Sequence, residues 1–204
     1  MRLMIAGIAA VLMGMAGAST RMLIAGIAAV LMGAAGASTV HADEYGTVLG
    51  TVNSITVYSN GQVGYVSGVT SSVNGYTCGI KWQCVEFCSR YYWVVYGKKI
   101  AGGNANSWYA NPAAKGLTAN PNGGASIPKV GDILCSESGP GGHVAIIRAV
   151  NVAAKAGTFD VIVAHQNWTN TSADLAKTFT MTLKDGKYTI AASGAYAWQG
   201  WLRR

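Results

Sequence analysis

Charged residues are scarce in this chain, at 11% of its 204 residues, and no Asp or Glu precedes Asp43. Instead, two copies of one apolar segment run head to tail over 2–20 and 21–39. Each copy has a basic residue, an apolar run and a small-residue tail, as in a secretory signal peptide. Each is shorter than the roughly 18 to 20 apolar residues that span a membrane. We therefore predict a duplicated signal-peptide-like segment over 1–42, with a retained signal-anchor as the alternative.

Removing that segment leaves residues 43–204, which is enough for one hydrophobic core and short for two. We expect a single domain there. It keeps 13 of the 15 basic residues and all 8 acidic ones, a net charge of +5. The basic residues, Arg90 among them, are dispersed and do not alternate with aromatics, which argues against nucleic-acid binding and for a solvated surface. The charge is compatible with an anionic cell envelope.

Metal-binding patterns are also missing from residues 43–204. This part has two histidines, His143 and His165, and no CxxC pair, so no zinc site and no cofactor is predicted. Its four cysteines are Cys78, Cys84, Cys88 and Cys135. If Cys84 is a free nucleophile, at most one disulfide forms among the others, and the sequence does not choose the pair.

The pattern of apolar residues predicts an α+β fold. Strand and turn residues fill 45–76, and a helix is predicted over 83–96, ending at Gly97. A loop with a short helix near 106–109 follows. Two neighbouring antiparallel strands are predicted at 129–137 and 143–150. Further strands are expected at 159–164, 179–183 and 188–192, the last two joined as a hairpin.

Cys84 stands at the predicted start of the helix. The free N–H groups and the helix dipole there favour a thiolate and can hold an oxyanion. Gln83 is a candidate additional donor. A cysteine nucleophile needs a base and a third group that orients the base. His143, at the start of a strand, and His165, at the end of another, are both candidates for the base.

Six short motifs in this chain resemble the CHAP amidohydrolases, in particular the amidase domain of bacterial glutathionylspermidine synthetase/amidase. The motifs are GTVLG with ITVYS, KWQCVEF, VGDIL, GHVAII, HQNW and WQGWL. They occur in the family's order and cover nearly all of residues 43–204. The resemblance implies a papain-like fold of the CHAP or NlpC/P60 type, with a nucleophile helix packed on an antiparallel sheet. It also implies that Cys84 is the nucleophile and His143 the base.

The sequence departs from the family at two places. The third catalytic residue of the family is usually a Glu two residues before an Asn, and here His165 takes the Glu position while Asn167 keeps the Asn. We expect Asn167, or else His165, to orient the His143 ring. Where the relatives carry two arginines after the nucleophile, this chain has Ser89 and Arg90, which argues against a glutathione conjugate as substrate.

Three functions follow as hypotheses. The first is a secreted or cell-envelope hydrolase that cleaves amide bonds of peptidoglycan. The second is an amidase for a small conjugate such as glutathionylspermidine, and the third is a catalytically impaired CHAP-fold binding protein. A membrane partner is expected only if the segment 1–42 is retained. Trp82 and Trp168 are expected in the wall of the cleft, and Glu86 is expected to be structural.

Overall fold

The computed structural model describes residues 42–204, so the predicted export segment lies outside the described residues except for Ala42. Two hairpins open this part of the chain. Strands β1 (Val48–Val52) and β2 (Ile55–Tyr58) form the first hairpin, and β3 (Thr70–Val73) and β4 (Tyr76–Ile80) form the second. The strand and turn chemistry predicted for 45–76 is therefore confirmed.

Helix α1 (Cys84–Tyr96) follows the second hairpin and matches the predicted helix. Gln83 before it has extended backbone, and Gly97 after it is left-handed, with φ 64°. The Gly97 N–H donates to the Trp93 carbonyl and the Lys98 N–H to the Tyr92 carbonyl, which closes the helix as glycine at this position commonly does. Within residues 42–204 this is the one α-helix; the other helical segments are short 3₁₀ turns at Ala105–Ser107, Pro112–Lys115 and Ser172–Leu175.

An antiparallel sheet makes up the rest of the described chain. Its seven strands run in the order β10-β9-β8-β7-β6-β11-β5. Their bounds are β5 (Thr118–Pro121), β6 (Ile133–Ser136), β7 (His143–Val152), β8 (Thr158–Ala164), β9 (Lys177–Lys184), β10 (Lys187–Ile190) and β11 (Trp198–Arg203). The predicted pairing of β6 with β7 and the predicted β9–β10 hairpin are confirmed. Strand β11, which no local pattern indicated, lies between β5 and β6.

Strand β7 contributes to two cores because successive side chains of a strand point to opposite faces. Val144 and Ile146 join the cluster that contains Phe87 of α1. Ala145 and Ile147 join a second cluster with residues of β8, β9 and β11. Helix α1 therefore packs on one face of the sheet at the strand that begins with His143.

The cysteines form no disulfide in the described structure, and all four are buried thiols. Cys88 and Cys135 pack in the core cluster of α1, as expected for Cys88. No helix within residues 42–204 has both the length and the apolar character required of a membrane span.

Candidate active site

Cys84 is the first residue of α1, so the sequence-based expectation of its place at the helix start is met. The residue is 8% exposed. Burial raises the pKa of its thiol above the ordinary value, although backbone N–H groups at Val144, Val85 and Cys84 act in the opposite direction. The expected lowering of this pKa by the helix start is therefore outweighed by desolvation. In the free protein Cys84 is a neutral thiol at neutral pH.

His143 and His165 lie side by side because their strands pair. His143 opens β7 and His165 directly follows β8, the neighbouring strand. The Nε2 atom of His143 is 2.8 Å from the Nδ1 atom of His165. Burial lowers the pKa of His143 to about 3. Burial, and then the neighbouring His143, lower the pKa of His165 well below its ordinary value, so both rings are neutral at pH 7.

The ring of His165 is held by aromatic side chains. It stacks on Trp168 with centroids 4.6 Å apart and an angle of 19° between the planes. Phe179 meets it edge-on at 5.9 Å. The His165 backbone N–H also donates to the carbonyl of Asp174. Its Nε2 atom is buried and has no hydrogen-bond partner in the part of the chain that the structure describes.

Asn167 does not contact the His143 ring, so the expectation that it orients the base is corrected. Its backbone is left-handed, with φ 60°, and its side chain turns toward a neighbouring loop. There its Oδ1 accepts from Asn60 and from the Gly64 N–H, each at 3.1 Å. Its Nδ2 donates to Gln83 Oε1 at 3.1 Å. Asn167 therefore fixes the loop beside Cys84, and His165 is the residue that contacts the His143 ring.

Gln83 is also committed to that loop. Its Nε2 donates to the Tyr65 carbonyl at 2.6 Å, with a longer contact to Asn60 Oδ1 at 3.5 Å. In this arrangement the Gln83 side chain is therefore not the additional oxyanion donor that the sequence suggests. Asn60, which is fully buried, also accepts from the Trp82 N–H and joins the loop to the start of α1.

A buried polar network lies beneath the start of α1. Arg90 Nε donates to Glu86 Oε1 at 2.6 Å, and Gln166 Nε2 donates to Glu86 Oε2 at 2.8 Å. Gln166 Nε2 also reaches the Gln83 carbonyl at 3.2 Å. Arg90 is 6% exposed, so it is not part of the solvated surface predicted for it. The network ties the residue after His165 to the helix that begins with Cys84, and Glu86 is structural, as expected.

The cleft that contains Cys84 and His143 has a volume of about 750 Å³. Asn167 and Gln83 line it, together with glycines of two loops, 102–103 and 139–142. No Lys, Arg, Asp or Glu of the described residues lines it. The two tryptophans expected in its wall are elsewhere: Trp82 lines a separate cavity and Trp168 packs on His165. Tyr196, and neither of these tryptophans, lines the cleft.

Sequence reasoning missed several residues that position the site. Asp174 is fully buried, and its carboxylate accepts the backbone N–H groups of Trp168, Thr169 and Asn170. It thereby shapes the turn after His165. No local signal marked Asp174, whereas Gln166 stood within the HQNW motif. Within residues 42–204 no group of three or more His, Cys, Asp or Glu side chains is placed to hold a metal ion.

The cysteine at the helix start and the histidine on the adjacent strand fall within one recognisable stretch. Residues 72–167 match the CHAP domain. The CHAP match includes Cys84, His143, His165 and Asn167.

Part of this chain is also similar to curated bacterial proteins. Staphylococcal secretory antigen SsaA of Staphylococcus aureus (strain NCTC 8325 / PS 47) and secretory antigen ssaA1 of strain COL are each 36% identical to this chain over 80 residues. The aligned stretch is 38% of this chain and 29% of each relative. The chain therefore spans less than a third of the length of these relatives.

Proposed function

We propose that the protein is a secreted cysteine amidohydrolase of papain-like architecture that cleaves amide bonds in peptidoglycan. Residues 1–42 direct export, and residues 43–204 form the catalytic domain. The observation that carries the proposal is the arrangement of one cleft: Cys84 begins α1, and His143 stands on the strand packed against that helix with its Nε2 2.8 Å from His165. Nucleophile, base and orienting group are the parts that cysteine acyl transfer requires.

The tautomers of the two histidines follow from their contact. Both rings are neutral, so one ring nitrogen of the pair donates and the other accepts. Catalysis requires His143 Nε2–H to donate to His165 Nδ1, because this leaves the His143 Nδ1 lone pair free for the Cys84 proton. When His143 becomes an imidazolium, the same contact supports its charge without a carboxylate. His165 is thus a positioning residue in this proposal.

The reaction proceeds in two halves. Cys84 Sγ bonds to the amide carbonyl carbon while its proton passes to His143 Nδ1, and the oxyanion accepts from backbone N–H groups at the first turn of α1. His143 returns the proton to the leaving amine as the C–N bond breaks, which leaves a thioester on Cys84. Water, deprotonated by His143, then hydrolyses the thioester and restores the thiol. The raised pKa of Cys84 means that proton transfer accompanies attack.

Peptidoglycan is favoured as substrate by four observations. The segment 1–42 has the layout of an export signal, and the relatives carry names that describe secretory antigens. The cleft is uncharged and lined by glycines, which suits a peptide whose groups next to the scissile amide are neutral. The catalytic stretch matches the CHAP domain, a family often active on peptidoglycan.

A small thiol conjugate such as glutathionylspermidine is the alternative substrate. It carries a polyamine and the glutamyl carboxylate, for which the described cleft lining supplies no opposite charge. Arg90, at one of the two positions where those relatives tend to carry arginine, is paired with the buried Glu86 instead. These contacts favour peptidoglycan.

A non-catalytic binding role is the second candidate function, and one observation favours it. In the described structure the Cys84 thiol makes no hydrogen bond to the His143 ring, and burial keeps both groups neutral. Catalytic contacts often tighten only when substrate binds, so the two roles are distinguished by whether product release depends on Cys84.

The experiment measures release of new amino groups from purified peptidoglycan by the protein and its variants. Cys84→Ala is expected to abolish release, whereas Cys88→Ala, the matched cysteine one turn along the same helix, is expected to retain it. Release that survives Cys84→Ala would refute the proposed chemistry. No release from the natural protein, together with release from His165→Glu, would mark the native site as impaired. No release of amino groups from peptidoglycan, together with cleavage of glutathionylspermidine, would assign the small-conjugate function.

A further inference from the structure

A second cavity lies between the two hairpins, on strands β2 and β3. Its volume is about 440 Å³, within the usual range of ligand sites, and it shares no lining residue with the catalytic cleft. We call it the β2–β3 groove. The residues that matter for its chemistry are Ser54, Thr56, Tyr58, Thr70, Ser71 and Trp82.

Hydroxyl groups dominate the polar part of the groove. Ser72 pairs with Thr77 across the hairpin at 3.1 Å. The hydroxyls of Ser54, Thr56 and Thr70 are at least partly exposed and make no side-chain hydrogen bond to any of the described residues. Each hydroxyl can donate one hydrogen bond and accept two, so this row suits a ligand that is itself rich in hydroxyl and amide groups.

Aromatic rings form the apolar part of the groove. Tyr58 and Trp82 stack with centroids 3.9 Å apart, and both are only half-buried. Arg90 reaches the groove but is paired with Glu86, so its charge is compensated. Lys81 adds one ammonium group, 5.3 Å from the Trp82 ring centroid, with no carboxylate partner among the described residues. A ligand with apolar C–H surfaces between polar groups fits this combination.

An extended peptide is a poorer occupant than a sugar chain. A peptide strand added to β2 would need free backbone groups along its edge. The Tyr58 N–H donates to Gln166 Oε1 at 3.0 Å, and the Thr56 carbonyl accepts from Arg90 at 2.6 Å. Side chains therefore already occupy these positions, while the hydroxyls of the groove stay free.

We propose that the β2–β3 groove binds a saccharide segment of the glycan strands whose peptides are cleaved at Cys84. This inference rests on the proposed function only in naming peptidoglycan as the source of the saccharide. Trp82 of the groove is two residues from Cys84, so a glycan held there lies near the start of the same helix. The groove holds the polymer while the uncharged cleft receives the peptide.

The test titrates the full-length protein with the β-1,4-linked tetramer of N-acetylglucosamine and follows backbone amide resonances by NMR. The expected result is a set of shifts concentrated at 54–58 and 70–73. Thr70→Arg and Ser72→Arg, which place a long side chain in the groove from exposed positions, are each expected to weaken binding at least about fivefold. Thr180→Arg, an equally exposed strand position on β9 and outside the groove, is the matched control and is expected to leave binding unchanged.

A second measurement separates this inference from the proposed function. Thr70→Arg is expected to slow amide cleavage in intact peptidoglycan and to leave cleavage of a soluble stem-peptide amide unchanged. If cleavage of the soluble amide depends on Cys84, the proposed function is supported, whether or not the groove binds a saccharide. The saccharide proposal is overturned by absence of shifts at 54–58 and 70–73, by binding that Thr70→Arg does not weaken, or by shifts produced by the stem peptide alone.

Discussion

His143 Nε2 and His165 Nδ1 lie 2.8 Å apart, so an imidazole, and not a carboxylate or an amide, contacts the ring of the proposed base. The pair is assembled by the register of β7 against β8, and Trp168 and Phe179 fix the second ring. The cleft therefore depends on a buried pair of neutral rings. Several consequences can be measured.

Replacing His165 separates its role from that of Asn167. We expect His165→Ala to lower kcat about 100-fold with little change in KM, because the His143 ring loses the partner that orients it. Asn167→Ala should instead raise KM and keep kcat within about threefold, because Asn167 holds the loop beside the cleft. Steady-state kinetics on a soluble stem-peptide amide check both. Equal effects of the two variants on kcat would assign Asn167 a share in orienting the base.

Gly142, directly before His143, is predicted to be intolerant of a side chain. It has φ 70°, and a Cβ atom there would lie 2.3 Å from the Asn106 backbone nitrogen and 2.6 Å from the Ser136 carbonyl oxygen. Gly142→Ala should therefore displace His143 and lower kcat/KM at least about tenfold. Gly141→Ala is the matched control, because a Cβ at Gly141 meets nothing within 4 Å. Similar kinetics for the two variants would show that this turn does not set the position of the base.

The buried pair of Glu86 and Arg90 is predicted to stabilise the fold. Glu86→Gln leaves the Arg90 charge buried without compensation and should lower the free energy of unfolding by about 3 to 5 kcal/mol. Glu44→Gln, at an exposed carboxylate, should change it by less than about 0.5 kcal/mol. Urea unfolding at neutral pH measures both. A Glu86→Gln protein as stable as the control would show that Arg90 finds another partner or becomes solvated.

The two buried histidines predict a loss of stability in mild acid. Both pKa values are lower in the folded protein than the ordinary 6.5, so the unfolded chain binds more protons as the pH falls below that value. Stability is then full above about pH 6.5 and decreases toward pH 3, by at most about 1.4 kcal/mol per pH unit for each histidine. Urea unfolding of the natural protein and His165→Gln between pH 5 and 7.5 should give a shallower slope for the variant. Parallel slopes would contradict the burial of a neutral His165.

Much of this arrangement could be predicted from local sequence. The helix is marked by an uninterrupted run without Gly or Pro and by Gly97 after it, and the sequence near His143 showed two strands joined by a glycine-rich turn. These local signals were enough to place Cys84 at a helix start and His143 at a strand start. Both placements agree with the structure.

The remaining features depend on contacts between distant segments. Asn167 was preferred as the orienting residue, but its left-handed backbone turns the side chain to Asn60 and Gln83. Arg90 was counted with the surface cations, although Glu86 and Gln166 surround it in the interior. The local sequence does not indicate strand β11, because this strand forms by pairing with the distant strands β5 and β6 on either side of it.

The most direct test of the account is to detect the thioester on Cys84. The protein is acid-quenched during turnover of a soluble stem-peptide amide, and the adduct is mapped by peptide mass spectrometry over Cys78, Cys84, Cys88 and Cys135. We predict an acyl adduct on the peptide that contains Cys84, lost in Cys84→Ala and reduced in His165→Ala. Product formation with no adduct on Cys84, or with an adduct on another cysteine, would contradict the account.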